Sequence, residues 1–241
     1  NVTIDGNNIQ CIKGVKKVDT DTDLYIKVQD LTEKAIATIV NTDASQLDNR
    51  DNILNAIKEN CDAAIIGKVL ANNDLKDKLV DASGNPTDAG TTLITGWVKN
   101  NKDKADDIAS ALKEINEFDD KSVGTAFVND IKEKCEPATI GKVLANAGLK
   151  DKLVDASGNP TDAGTTLITG WVTSHKDQAA DIASALKEIN EFGDKSVGAA
   201  FVNDIKENCK PETIKSILTN LFGTNKDIEI ASDSKEQLLL D

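Results

Sequence analysis

Four cysteines, one histidine and several runs of closely spaced aspartates are the residues in this 241-residue chain that could do chemistry. Cysteines at Cys-x-x-Cys spacing, or near a histidine, would hold zinc through thiolate and imidazole. No pair here has that spacing. Cys61, Cys135 and Cys209 follow one another at intervals of 74 residues, and Cys11 stands apart. His175 is the only histidine and lies in the polar run SHKDQ, so it is expected to be a solvated loop residue without partners for acid–base work. The run DTDTD at 19–23 has the opening spacing of a calcium loop. Its sixth position is Leu24 rather than glycine, and its twelfth is Asp30 rather than glutamate. DASGN at 81–85 and again at 155–159 has similar acidic spacing and also lacks the closing glutamate. A turn or helix cap accounts for these aspartates more simply than calcium does. No glycine-rich phosphate loop follows a strand. No metal, cofactor or catalytic residue is assigned, and an enzyme is not expected.

The cysteine spacing exposes the organisation of the whole chain. Trp97 and Trp171 keep the same interval, and residues 62–135 align with 136–209 with 13 differences in 74 positions. A further partial copy starts at Lys210 with KPETIKSILTNLFG and then drifts. Residues before 61 echo the pattern: AIATIV (35–40) parallels DIASAL, and ILNAIKENC (53–61) parallels FVNDIKENC. The expected organisation is a diverged N-terminal copy or cap over 1–61, repeats over 62–135 and 136–209, and a partial repeat with cap over 210–241, in one continuous array.

Within 136–209 the apolar residues recur at helical spacing. Ile140, Val143, Leu144 and Ala147 form one stripe, and Leu167, Ile168, Trp171 and Val172 a second. Ile182, Ala185, Leu186 and Ile189 form a third. Val197, Phe201, Ile205 and Cys209 form a fourth, with Val202 beside it. About four helices per 74-residue repeat, paired as hairpins, are expected. Asn159 reads as an N-cap with Pro160 at the first helical position. Pro137 and Pro211 read as helix starts, Gly193 as a helix end and Asp194 as the following cap. No segment alternates as a strand would, and 1–8 and about 224–234 read as irregular. A lone hairpin cannot bury its apolar face, whereas stacked hairpins can. The expected fold is therefore all-α, a right-handed α-solenoid, with a compact helical bundle as the alternative. Cys61, Cys135 and Cys209 end apolar stripes and are expected to be reduced and buried; Cys11 with Cys61 is the one pair that could meet. Trp97 and Trp171 sit on such stripes, which favours core packing over exposed anchoring of a partner.

Near-identical tandem repeats of this length over 62–209, rich in Lys and Asn and with Arg50 as the single arginine, resemble the repeat regions of surface antigens or effectors of rickettsia-type intracellular bacteria. The resemblance implies a secreted effector or a bacterial cell-surface protein with a host protein as partner. Reduced cysteines favour a reducing compartment.

Hydrophobic residues make up 39% of the chain and charged residues 29%, a balance that folds rather than remaining disordered. Aromatics are 3% and Met is absent, so the core must be Leu, Ile, Val and Ala. The net charge of −13 disfavours nucleic acid, which needs clustered positive charge to displace counterions from phosphate. It suits a partner with a basic surface. No apolar run approaches the ~20 residues that span a bilayer, and the chain opens at Asn1 without a signal-peptide pattern. The expected function is a non-enzymatic protein–protein interaction scaffold that uses an extended repeat surface. The alternative is a structural spacer or antigenic decoy. Positions that differ between the copies cluster at 99–101, 104 and 106, and such tolerance marks sites expected to face solvent.

Overall fold

The computed structural model describes residues 2–5, 8–11, 31–42, 50–223 and 239. Among the described residues the fold is helical apart from a short antiparallel pairing of Val2–Asp5 (β1) with Asn8–Cys11 (β2) and two isolated bridges, Val80 with Pro86 and Val154 with Pro160. The start of the chain was expected to be irregular. Instead Val2, Thr3 and Ile4 favour extended backbone, and Gly6-Asn7 between the strands is a dipeptide that favours a tight hairpin turn. The DTDTD run lies outside the described residues.

The chain divides into two compact units. The first comprises 1–100 and 110–127, and the second comprises 101–109 and 128–241. In the first unit, α1 (Glu33–Asn41) starts at Thr32, whose side chain accepts from the Ala35 amide, and α1 packs on α2 (Arg50–Asn60) and α3 (Ala63–Leu70). A 3₁₀ turn, Asn73–Leu75, leads into α4 (Lys76–Leu79). The next helical rod begins as α5 (Asp88–Gly90), widens to a π-helical segment at Thr91–Gly96, and ends as α6 (Trp97–Asn100). It is followed in the chain by α7 (Ala105–Glu114) and α8 (Val123–Lys134), whose residues 105–109 and 128–134 belong to the second unit.

The same sequence of elements recurs 74 positions later. α9 (Pro137–Leu144) is followed by a 3₁₀ turn at Ala147–Leu149 and by α10 (Lys150–Leu153). α11 (Asp162–Gly164), a π-helical segment at Thr165–Thr169 and α12 (Gly170–His175) form the second rod. α13 (Ala179–Glu188), α14 (Val197–Asn208) and α15 (Pro211–Phe222) complete the second unit, in which α13 packs on both α9 and α15.

The apolar stripes form the core as expected, with two adjustments. Ile140, Val143 and Leu144 are buried, but α9 stops at Leu144, so Ala147 is exposed and Leu149 in the 3₁₀ turn takes the buried place. Ile189 is buried beyond the end of α13, on extended backbone. Pro137 and Pro211 stand at the first turns of α9 and α15, where a missing N–H costs nothing.

Three expected caps move. Thr161, not Asn159, caps the second rod, because its Oγ1 accepts from the Gly164 amide at 3.1 Å. Pro160 instead pairs with Val154 in an antiparallel bridge. Ser196, not Asp194, caps α14, with Oγ accepting from the Ala199 amide at 3.0 Å. Gly193 lies five residues past the end of α13, and the left-handed backbone in that loop belongs to Lys195 at φ 63°.

Candidate functional site

The feature that recurs most completely is a cleft beside each 3₁₀ turn. In the first unit it lies between the end of α3 with its turn, represented by Leu70, Asn73 and Lys76, and the loop leading into α8, represented by Ile115, Glu117 and Gly124. In the second unit the matching residues are Leu144, Ala147 and Lys150 against Ile189, Glu191 and Gly198. Local bonding holds both walls. Asn72 Oδ1 accepts from the Asp74 amide at 3.0 Å, and Asn146 Oδ1 accepts from the Gly148 amide at 3.0 Å. Across the cleft, Ser122 Oγ donates to the Glu117 carbonyl and accepts from the Thr125 amide, as Ser196 does with Glu191 and Ala199.

Glycine at 124 and 198 lets the loop carbonyl lie against the helix start. A Cβ there would stand 2.1 Å from the carbonyl oxygen of Glu117 or Glu191. At each mouth a lysine meets a glutamate, Lys76 with Glu117 at 3.4 Å and Lys150 with Glu191 at 3.7 Å. The shared lining differs in one residue type, Asn73 against Ala147. The first cleft encloses about 20 Å³ and the second about 250 Å³. Each cleft thus has an apolar floor, a charged mouth and walls held by backbone bonds.

A broader, open groove of about 640 Å³ lies in the second unit, with Asp103, Asp106, Asp107 and Glu188 facing Lys142 and Asn146. Its carboxylates are interspersed with lysines. Among the described residues, no three His, Cys, Asp or Glu side chains come close enough to hold a metal ion. No helix is long and apolar enough to cross a membrane, again among the described residues.

The cysteines separate by burial. Cys135 and Cys209 are buried free thiols, whereas Cys61, expected to be buried, is half-exposed. Desolvation pushes the Cys135 thiol up to about 12, with Asp103 adding to the rise, and pushes the Cys61 thiol up to about 11, with Asp62 adding. Burial also raises Cys209, helped by Asp177. Thiolates are disfavoured at all three positions, which opposes nucleophilic or metal-ligand use. The Cys11 side chain falls outside those described, and so does its pairing with Cys61.

His175 is not a solvated loop residue. It is the last residue of α12, and its ring stacks on Trp171 with centroids 4.2 Å apart and planes 18° from parallel. Its Nδ1 lies 2.9 Å from the Trp171 carbonyl and 3.0 Å from Ser174 Oγ. The i, i+4 spacing of Trp171 and His175 on one helix was the signal in the sequence that could have found this pair. Both tryptophans belong to the core, Trp97 at 2% exposure and Trp171 at 0%, each 5.8 Å from a phenylalanine, Phe127 or Phe201. Lys99, Asn100, Lys104 and Asp106 are exposed, as the differences between the copies led one to expect, but Asn101 is buried.

In DASGN, Asp81 Oδ1 accepts from the Ser83 and Asn85 amides at 2.8 and 3.0 Å, and Asp155 does the same for Ser157 and Asn159 at 2.8 and 2.9 Å. These bonds hold both carboxyls below the usual range, with the amide of the asparagine as the largest cause. The aspartates therefore organise the turn.

One ionisable pair escaped the sequence reading. Asp130 and Asp204 are buried on α8 and α14. Lys134 forms an ion pair with Asp130, but the matching Asn208 supplies no charge to Asp204. Asp204 instead accepts from Thr169 Oγ1, and desolvation raises its pKa, with Glu207 adding to the rise.

No family model, curated protein or solved structure matches this chain.

Proposed function

We propose that this chain is a non-enzymatic protein-interaction scaffold, built as an α-solenoid of helical hairpins, that binds a protein partner through its two matching clefts. The observation that carries this reading is the recurrence of one preorganised cleft, with a lysine–glutamate pair at each mouth. A short apolar side chain of the partner fits the floor of the second cleft, where about 250 Å³ is open, while the first, at about 20 Å³, offers chiefly its charged rim. Rigid walls limit the ordering cost of binding. Two linked contacts raise avidity through effective concentration without any new type of contact. The excess of acid, −13 overall, favours a partner with a basic surface and speeds encounter at low salt more than it adds affinity. The resemblance of the repeats to rickettsia-type antigens and effectors points to a host protein as that partner, met by a secreted or cell-surface form.

The test uses the full chain with each cleft filled, Ala71→Trp in the first and Ala145→Trp in the second. Protein captured from a host-cell lysate and identified by mass spectrometry is titrated against each form. Each single variant is expected to weaken binding at least tenfold, and the double variant should abolish it. Unchanged affinity in a folded double variant would remove the cleft mechanism.

A second reading, an antigenic spacer, draws on the differences between the copies at exposed positions 99, 100, 104 and 106. It requires antibodies to distinguish the copies at those positions and the chain to retain no partner.

A further inference from the structure

We infer that α15 is a stop element: its outer face is closed to the helices that would complete a third repeat, and Lys215 is the residue chiefly responsible. The inference rests on how helices meet inside each unit. Gly67 on α3 faces Ala111 on α7 so closely that a Cβ at 67 would stand 2.3 Å from the Ala111 carbonyl oxygen. Gly141, the same position on α9, faces Ala185 on α13, and a Cβ there would stand 2.1 Å from its carbonyl oxygen. Real Cβ atoms do not approach backbone oxygen so closely, so this mode of docking is open to glycine alone.

The third occurrence of the position is Lys215 on α15. The helix is otherwise in register, with Pro211 at its start like Pro137, and Ile217 as buried as Val143. It packs on α13, so the side that receives the preceding helix is in place. Among the described residues the opposite side is less covered. Ile140 and Leu144 are fully buried on α9, whereas Ile214 and Leu218 on α15 are only half-buried, and Lys215 is exposed. A helix approaching as α13 approaches α9 would meet the lysine Cβ where it needs bare backbone. It would also have to desolvate the ammonium group. Polar residues reinforce the change, with Thr219 in place of Ala145. The surface that the first helix of a repeat offers to a later helix of the same repeat is thus withheld at α15, both from helices that would complete a third repeat and from a second molecule docking through its own α13-like helix.

The experiment inserts a second copy of residues 145–218 after Leu218 of the full chain, so that the inserted counterpart of α13 also has its own counterpart of α15, with position 215 of the original α15 in three forms: unchanged, Lys215→Ala and Lys215→Gly. Native-state hydrogen exchange is read in the inserted counterpart of α13. With Lys215→Gly, those amides should be protected as strongly as α13 itself. In the unchanged and Lys215→Ala forms they should exchange at least tenfold faster, because any Cβ blocks the approach. Equal protection in all three forms would overturn the inference. So would absence of protection in the Lys215→Gly form, and so would an alanine form that behaves like glycine.

Discussion

Thr169 Oγ1, at the end of a π-helical segment, donates a 2.8 Å hydrogen bond to Oδ2 of the buried Asp204. The bond ties the second rod to α14 and is the only partner described for that carboxylate that favours its charge. Removal from water outweighs it, and the pKa of Asp204 is raised. For an acid with a raised folded pKa, the folded state binds more protons than the unfolded chain, so stability falls as pH rises from the unfolded value through the folded one. At neutral pH the buried charge is a net cost.

Asp204→Asn keeps an acceptor for Thr169 and removes the charge, so it should raise Tm at pH 7 and flatten this part of the pH profile. Asn208→Lys restores the counter-ion that Lys134 gives Asp130 and should stabilise by roughly 0.5–1 kcal/mol, in the range of helix ion pairs with partial burial. Denaturant titration of the two variants between pH 4 and 8 checks both. A lower Tm for Asp204→Asn at pH 7 would show that the carboxylate charge is favourable.

Asp81 and Asp155 act in the opposite direction. Their carboxyls are held low by backbone amides, so the stability they contribute is present above the unfolded value and is lost as pH falls through the lower folded value. Asp81→Ala with Asp155→Ala should lower Tm at pH 7 and remove part of the loss of stability expected on acidification below about pH 4, the ordinary carboxylate range. Thermal melts from pH 2 to 7 provide the comparison, and parallel acid limbs for both proteins would contradict the assignment.

The junction glycines should be intolerant of even one methyl group. Gly141→Ala forces α9 and α13 apart and is expected to cost about 1–3 kcal/mol, the usual range for overpacking. Gly67→Ala should behave alike. Gly193→Ala is the control, since nothing lies within 4 Å of a Cβ built there, and it should change stability little. Equal effects at 141 and 193 in urea unfolding would refute the close-packing account.

Thiol reactivity should follow exposure. Cys61 is half-exposed, and Cys135 and Cys209 are at 8% exposure. A disulfide reagent at pH 8 in native buffer should modify Cys61 first, with Cys135 and Cys209 reacting at least tenfold more slowly until denaturant is added. Peptide mass spectrometry over time gives the order, and equal rates for the three would mean that the helix ends carrying Cys135 and Cys209 open readily.

Much of the helical fold was legible because apolar stripes at 3.6-residue spacing have few alternatives: Ile182, Ala185 and Leu186 must be covered, and they are. Helix boundaries were harder to read. Pro137 and Pro211 announce their helices through fixed φ and a missing donor, which are properties of the residue itself. Asn159, Thr161, Asp194 and Ser196 are all competent caps, and which one serves depends on where the chain arrives. Val154 pairing with Pro160 carries the helix start past Asn159 to Thr161, and the left-handed Lys195 hands the cap of α14 to Ser196.

The sequence by itself determined the 74-residue period, the helical class and the apolar residues that form the core, because each follows from residue type and spacing along the chain. Tertiary structure decided what the same residues do when brought together from far apart. Gly141 is a helix residue of poor propensity until Ala185 arrives 44 positions later and makes it indispensable. Asp204 reads as one more surface acid until folding buries it beside Thr169, 35 residues away. The clefts, too, exist only once Lys76 meets Glu117 and Lys150 meets Glu191, across 41 residues in each unit. Local pattern fixes which faces must be hidden; the energy of a close approach or a buried charge depends on the neighbour, and only the folded chain supplies it.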